Sequence, residues 1–256
     1  MTPPRRQRAR PSVFCLAHAG GSAESAFRGW AEELADCADV VALELAGRGR
    51  RAVEAPFASM QDAATDCAQQ ILAVAGDDGD FLLFGHSMGG LIAYAVDALL
   101  LARGWRRPSA VVIAGTPPPN RHSDGGGMHA LPHAMLLRAV ERLGGLPPEL
   151  LEHRSSREFL ATVLREDYRI YERYAVADPP HRIASPLVLL RGAADPLMRP
   201  DDLALWSELA GGGVAVRSVP GSGHFFPATH RRETVAVLRG LVRAVGGDVE
   251  APRDDV

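Results

Sequence analysis

The chain has 256 residues, 46% of them apolar, and a formal net charge of −3. This length supports one large core in an ordinary α/β domain, and the slightly acidic balance excludes the basic footprint of a nucleic-acid binder. Its three cysteines, Cys15, Cys37 and Cys67, are widely spaced and odd in number, which gives neither a disulfide framework nor a zinc pattern and points to a reducing, cytoplasmic setting.

In chain order, residues 1–11 are basic and proline-containing and read as a flexible tail, as do residues 246–256. No apolar run approaches the roughly 18 residues of a membrane span. The run after Pro11 is too short for a secretory signal and reads as a first strand. Strands are predicted at 13–17, 39–45, 80–85, 110–115, 186–191 and 214–219, and helices at about 25–36, 60–75, 88–103, 201–210 and 230–245. Near-continuous apolar strands alternating with amphipathic helices predict a buried, mostly parallel sheet with helices on its flanks.

The rhythm breaks between Gly115 and Pro186. Pro117-Pro118-Pro119 and Gly125-Gly126-Gly127 open the stretch, and two helical patterns follow, the first on Leu136, Leu137, Val140 and Leu143, the second from Phe159 to Tyr171. Ser155 and Glu158 have the spacing of a capping box for the second. Residues 119–181 are predicted to be a helical lid inserted into a core of residues 12–118 and 182–245, with the glycines as its hinge.

Gly85-His86-Ser87-Met88-Gly89 lies between an apolar strand and a helix. A Gly-x-Ser-x-Gly turn at such a junction raises a serine oxygen clear of the sheet, where a base can activate it. Position selects the base from nine histidines: His224 follows the strand at 214–219. Asp195 follows the strand at 186–191, and its rivals Asp201 and Asp202 suit the start of a helix. All three side chains then stand at the C-terminal rim of the sheet, in the order Ser, Asp, His shared by α/β-hydrolases. His86 adjoins the serine but diverges from it. His122, His129, His133, His153, His181 and His230 read as surface or lid residues. The backbone N–H of Met88 is one oxyanion donor, and the Gly-rich loop after the first strand offers that of Ala19 as the second.

With these residues in place, the chain resembles the type II thioesterases that serve polyketide synthases and nonribosomal peptide synthetases. The pieces that carry the resemblance are Ala17-His18-Ala19-Gly20-Gly21-Ser22, Gly47-Arg48-Gly49-Arg50-Arg51, Gly85 to Gly90, Leu164 to Tyr168 with Glu172 to Tyr174, Gly192 to Pro196, and Gly221 to Phe225, over about residues 12–245. Ala46 stands where such proteins usually carry proline. The resemblance implies an α/β-hydrolase fold and hydrolysis of acyl groups from the phosphopantetheine arm of acyl or peptidyl carrier proteins, an editing role that needs neither cofactor nor metal. Docking an acidic carrier protein would draw on arginines, with Arg48, Arg50, Arg51, Arg103, Arg106, Arg107, Arg138 and Arg142 as candidates. Residue spacing alone leaves open a small-molecule carboxylesterase or lipase, or a non-catalytic interaction module of the same fold.

Overall fold

The computed structural model describes residues 10–76, 79–121, 127–146, 152–177 and 179–246. Six parallel strands form one sheet: β1 (Ser12–Leu16), β2 (Asp39–Ala42), β3 (Phe81–His86), β4 (Ala110–Ala114), β5 (Leu187–Gly192) and β6 (Val214–Val219), in the order β2-β1-β3-β4-β5-β6. Every residue of β3 and β4 is buried, as unbroken apolar runs require when both faces of a strand are covered. Alternate side chains supply the two faces. Phe14, Leu83, Val111, Ile113 and Leu189 point to one core, and Val13, Cys15, Leu82, Phe84, Val112 and Val188 to the other.

The first core is closed by α3 (Met60–Ala75) and α4 (Met88–Ala102), and by Trp206 of α7 (Pro200–Glu208). The second is closed by α1 (Ala23–Ala26), α2 (Trp30–Leu34) and α9 (Arg231–Gly246), with Trp30, Leu34 and Leu238 fully buried. A single helix over 25–36 does not form. Gly29 stands at φ +82 between α1 and α2 and interrupts it. Cys15 and Cys67 are buried, and burial pushes both thiols up in pKa, which leaves them unreactive. No described helix is long and apolar enough to cross a membrane.

Strand order reverses at β1, which has β2 on one side and β3 on the other. Leu16 pairs with Gly85 across β1 and β3, so the segments that leave these strands start side by side. Such a switch point opens a crevice at the strands' C-terminal ends.

Between β4 and β5 lie α5 (His133–Arg142) and α6 (Arg154–Glu172). They share a small apolar cluster of Leu136, Leu137, Val140, Leu160, Ala161, Leu164 and Phe225. The C-terminal half of α6 is also tied to the body. Ile170 joins the main core, and Arg169 donates to the carbonyls of Phe57 and Ala58 at 2.9 and 3.1 Å. The capping box at Ser155 does not form. The helix begins at Arg154 with His153 as its N-cap and no side-chain cap, and Glu158 instead pairs with Arg154 at 2.8 Å one turn earlier. Of the glycines read as a hinge, Gly125 and Gly126 lie outside the described residues, as does most of each predicted tail, and Gly127 stands at φ +101. The short helix α8 (Phe226–Thr229) precedes α9.

Candidate active site

Ser87 caps α4 at φ 55 and ψ −120, the one non-glycine residue with positive φ among those described. A side chain held in that region is strained. Close backbone packing sustains the bend: a Cβ on Gly85 would lie 2.2 Å from the Gly89 carbonyl oxygen, and one on Gly89 2.2 Å from that of Leu16. The turn is also bonded to β4. Ser87 N–H donates to the Ala114 carbonyl at 2.8 Å, and the Thr116 hydroxyl reaches the Ser87 carbonyl at 2.9 Å. Trp206 Nε1 in turn donates to the Thr116 carbonyl at 2.8 Å.

The structure brings the three rim side chains together. The Ser87 hydroxyl lies 3.0 Å from His224 Nε2, and His224 Nδ1 lies 2.9 Å from Asp195 Oδ2. His224 and Asp195 are buried, and the second carboxylate oxygen accepts the Leu197 N–H at 2.9 Å. An imidazole in this setting donates from Nδ1 to the carboxylate and presents a bare Nε2 to the hydroxyl, the tautomer a general base requires.

The Met88 N–H opens α4, where the first amides of a helix have no partner within it. Ala19 occupies a turn that the Gly21 N–H closes on the His18 carbonyl at 3.0 Å. Among the described residues neither the Ala19 nor the Met88 N–H is taken by another group. The neighbouring Gly20 N–H is engaged, donating to Asp167 Oδ2 at 2.7 Å.

His86 packs against the His224 ring at 5.1 Å, and His18 packs in turn against His86. His86 Nε2–H donates to the His224 carbonyl at 2.9 Å. His18 meets the rings of His86 and Phe225 edge-on at 5.3 and 4.8 Å. Burial, followed by the nearby His224 and Arg48, lowers the His18 pKa to about 3. Burial, with His224 as the next cause, takes His86 well below the usual histidine range. Both rings are therefore neutral at neutral pH. Sequence position dismisses His86 as a base for Ser87, but its grip on the His224 backbone spans 138 residues, and no local pattern signals it.

Other residues are placed as follows. Asp202 is buried at the start of α7, ion-paired with Arg121, and accepts the Arg199 N–H at 2.7 Å. His181 is half-buried against Asp97, at 2.8 Å, and is no surface residue. His129 pairs with Glu172, and His122 lies outside the described residues. Arg48 cannot meet a docking partner. Its side chain is only 5% exposed and is bonded at two points to Asp167 of α6. Arg51 is committed to Glu54 and Asp66, whereas Arg50, Arg103, Arg107, Arg138 and Arg142 are exposed.

Cavities flank this centre. One of about 350 Å³ is lined by His18, Ala19, Leu160, Leu164 and Phe225. Another of about 360 Å³ is lined by Pro117, Tyr168, Tyr171, Pro196 and Leu197. Both are mostly apolar and lie between the rim and the inserted helices, as pockets for an extended apolar ligand do.

Comparisons with known proteins give the family of the chain. A family model described as "Thioesterase domain" matches residues 11–242. Thioesterase PikA5 of Streptomyces venezuelae is 28% identical over 217 residues, which cover 84% of this chain and 74% of that protein. The crystal structure of ClbQ from the colibactin NRPS/PKS pathway superposes with a TM-score of 0.85 at 30% identity, covering 92% of this chain and 98% of that one. YbtT, a type II thioesterase from the yersiniabactin NRPS/PKS pathway, gives a TM-score of 0.79 at 29% identity over 94% of this chain and 96% of its own. The chain therefore belongs to the thioesterase family, as a thioester hydrolase of the α/β-hydrolase fold.

Proposed function

We propose that the protein hydrolyses acyl groups from the phosphopantetheine arm of acyl or peptidyl carrier proteins and so edits stalled polyketide or nonribosomal peptide assembly lines, with Ser87, His224 and Asp195 as its catalytic residues. The observation that carries the chemistry is a strained serine whose hydroxyl lies 3.0 Å from a buried imidazole backed by a carboxylate. Ser87 attacks the thioester carbonyl while His224 takes its proton. The N–H groups of Ala19 and Met88 bind the oxyanion, and the pantetheine thiolate leaves with a proton returned by His224. Water, activated by the same imidazole, then cleaves the acyl-serine. Asp195 holds the imidazole tautomer and stabilises its charged form.

The segment 119–181 serves as the lid of this site, with the flanking cavities beneath it. Its relatives' place in biosynthetic pathways supports the editing role over general ester hydrolysis. The test is a panel of acyl-carrier thioesters of different chain lengths assayed with wild type and Ser87→Ala. The variant is expected to lose on the order of 10⁶ in turnover. A wild-type rate in Ser87→Ala rejects the mechanism, and a preference for p-nitrophenyl esters over matched acyl-pantetheine thioesters rejects the substrate.

A further inference from the structure

Three distant segments meet at Asp167. Its Oδ2 accepts the Gly20 N–H at 2.7 Å and an Arg48 guanidinium nitrogen at 2.6 Å, while Oδ1 takes the other guanidinium nitrogen. Arg48 also reaches the Gly21 carbonyl at 3.4 Å. The acceptor comes from α6, the counter-charge from the loop after β2, and the N–H from the loop after β1. Asp167 and Arg48 are 2% and 4% exposed.

Stability alone is a weak reason for such a pair. Two charges lose their hydration on burial, and well-packed apolar side chains of similar volume often serve as well. What apolar side chains cannot do is accept the Gly20 N–H. That N–H belongs to the central peptide of the His18–Gly21 turn, with Ala19 in the second position and Gly20, at φ +78, in the third. Positive φ there is the mark of a type II turn, and the competing type I turn has the central peptide flipped over. In the flipped form the Ala19 carbonyl oxygen replaces the Gly20 N–H opposite the carboxylate, and the two oxygens repel. The second residue has φ of about −60° in either turn, so the flip leaves the direction of the Ala19 N–H within the turn unchanged; what Asp167 fixes for it is the place of the turn, tethered to α6 through the adjoining N–H.

Resting on the mechanism above, we infer that Asp167, oriented by Arg48, is a positioning residue for thioester hydrolysis: from the inserted helix it tethers Gly20 and so holds in place the turn whose Ala19 N–H serves the oxyanion. It touches no reacting atom. Its contribution appears when negative charge forms on the carbonyl oxygen and is absent when substrate merely binds. The arrangement also makes one half of the oxyanion site depend on the seating of α6.

The test compares wild type, Asp167→Asn and the double variant Asp167→Leu/Arg48→Met. In the single variant an amide NH₂ must face either Gly20 N–H or the guanidinium. The double variant removes both charges together with the acceptor for the Gly20 N–H, so the buried site stays neutral should the single one fail to fold. On a short acyl-pantetheine thioester, the folded variants are expected to lose about 10²-fold in kcat, the scale of one oxyanion donor, with KM within about twofold of wild type. Affinity for a trifluoromethyl ketone analogue, whose hemiketal oxyanion forms on Ser87, is expected to fall by the same factor. A folded double variant with wild-type kcat overturns the proposal, as does a kcat loss with unchanged analogue affinity. A Ser87→Ala control separates the readings: full activity there overturns the serine mechanism and this proposal with it, whereas an inactive control beside a fully active double variant overturns the proposal alone.

Discussion

At the rim that carries Ser87, backbone lies against backbone. The Gly85–Gly89 turn packs on the end of β1 with no room for a methyl group, and hydrogen bonds to β4 complete its attachment. In the inserted segment side chains make the attachments, through one small cluster around Leu136, Leu160 and Leu164, a few charged pairs, Ile170 in the main core, and hydrogen bonds of Arg169 and Asp167 with backbone groups of the body. Backbone contacts fix position to a fraction of an ångström and tolerate no substitution, whereas a small apolar cluster can repack. The nucleophile sits on the rigid part and its cover on the adaptable part, which suits an enzyme that must accept acyl chains of differing shape.

The sharpest way to break this contrast is Gly89→Ala. The added Cβ would meet the Leu16 and Ala17 carbonyl oxygens at 2.2 and 2.6 Å, and two strands and a helix would have to move. We expect a global loss of about 3 kcal/mol or more, read from denaturant unfolding. An undisturbed midpoint would mean that the turn yields as easily as the lid.

Leu136→Ala is the matching probe of the other region. Leu136 is fully buried, in a cluster of seven buried residues among those described, separate from the two cores on the sheet. The expected cost is about 2–3 kcal/mol, appearing as faster hydrogen exchange and proteolysis within α5 and α6, with a smaller change in global unfolding. A global loss equal to that of Gly89→Ala would make the segment part of the main cooperative unit.

The two regions also differ in how far sequence discloses them. At the rim, each decisive residue sits at the end of an apolar run, so Ser87, Asp195 and His224 could be chosen by position among many serines, aspartates and histidines. All six strands begin within one residue of their predicted starts, because short apolar, β-branched runs announce themselves by composition. What escaped depends on residues far apart in the chain. Arg48 reads as a surface arginine until α6 supplies Asp167, 119 residues later. His86 reads as a bystander until the fold sets it against His224. Gly29 falls inside the helix predicted over 25–36, and the fold sets it at φ +82 as the N-cap of α2.

The buried histidines extend the comparison to pH. Both have folded pKa values below the unfolded value of about 6.5, His18 down to about 3. Below about pH 6.5 the unfolded chain therefore binds more protons than the folded one. The stability they confer is complete above that pH and is lost as pH falls from there toward 3. The slope is about 1.4 kcal/mol per pH unit for each histidine well inside the window. Unfolding free energies at pH 7.5, 6.0 and 5.0 are expected to decline, and His86→Gln, which keeps a donor for the His224 carbonyl, should make the decline shallower. A flat profile down to pH 5 would show that acid opens the cluster without cost.

The smallest expected effect is Ser155→Ala, and its smallness is informative. Were Ser155 the N-cap of α6, losing its hydroxyl would remove the acceptor for an orphan amide and cost about 1 kcal/mol. The helix instead starts at Arg154, which places Ser155 inside the first turn, exposed and uninvolved in capping. Alanine is a better helix former than serine at such a position, so the change in unfolding free energy should stay within about 0.5 kcal/mol, the range of ordinary surface substitutions. Glu158→Gln gives an independent check. In a capping box its carboxylate would bond the Ser155 backbone, and the loss would depend on Ser155. Here it faces Arg154, so the effects of Ser155→Ala and Glu158→Gln should add without coupling in a double-mutant cycle. A coupling above about 0.5 kcal/mol would move the start of α6 and shift the register of its first turn.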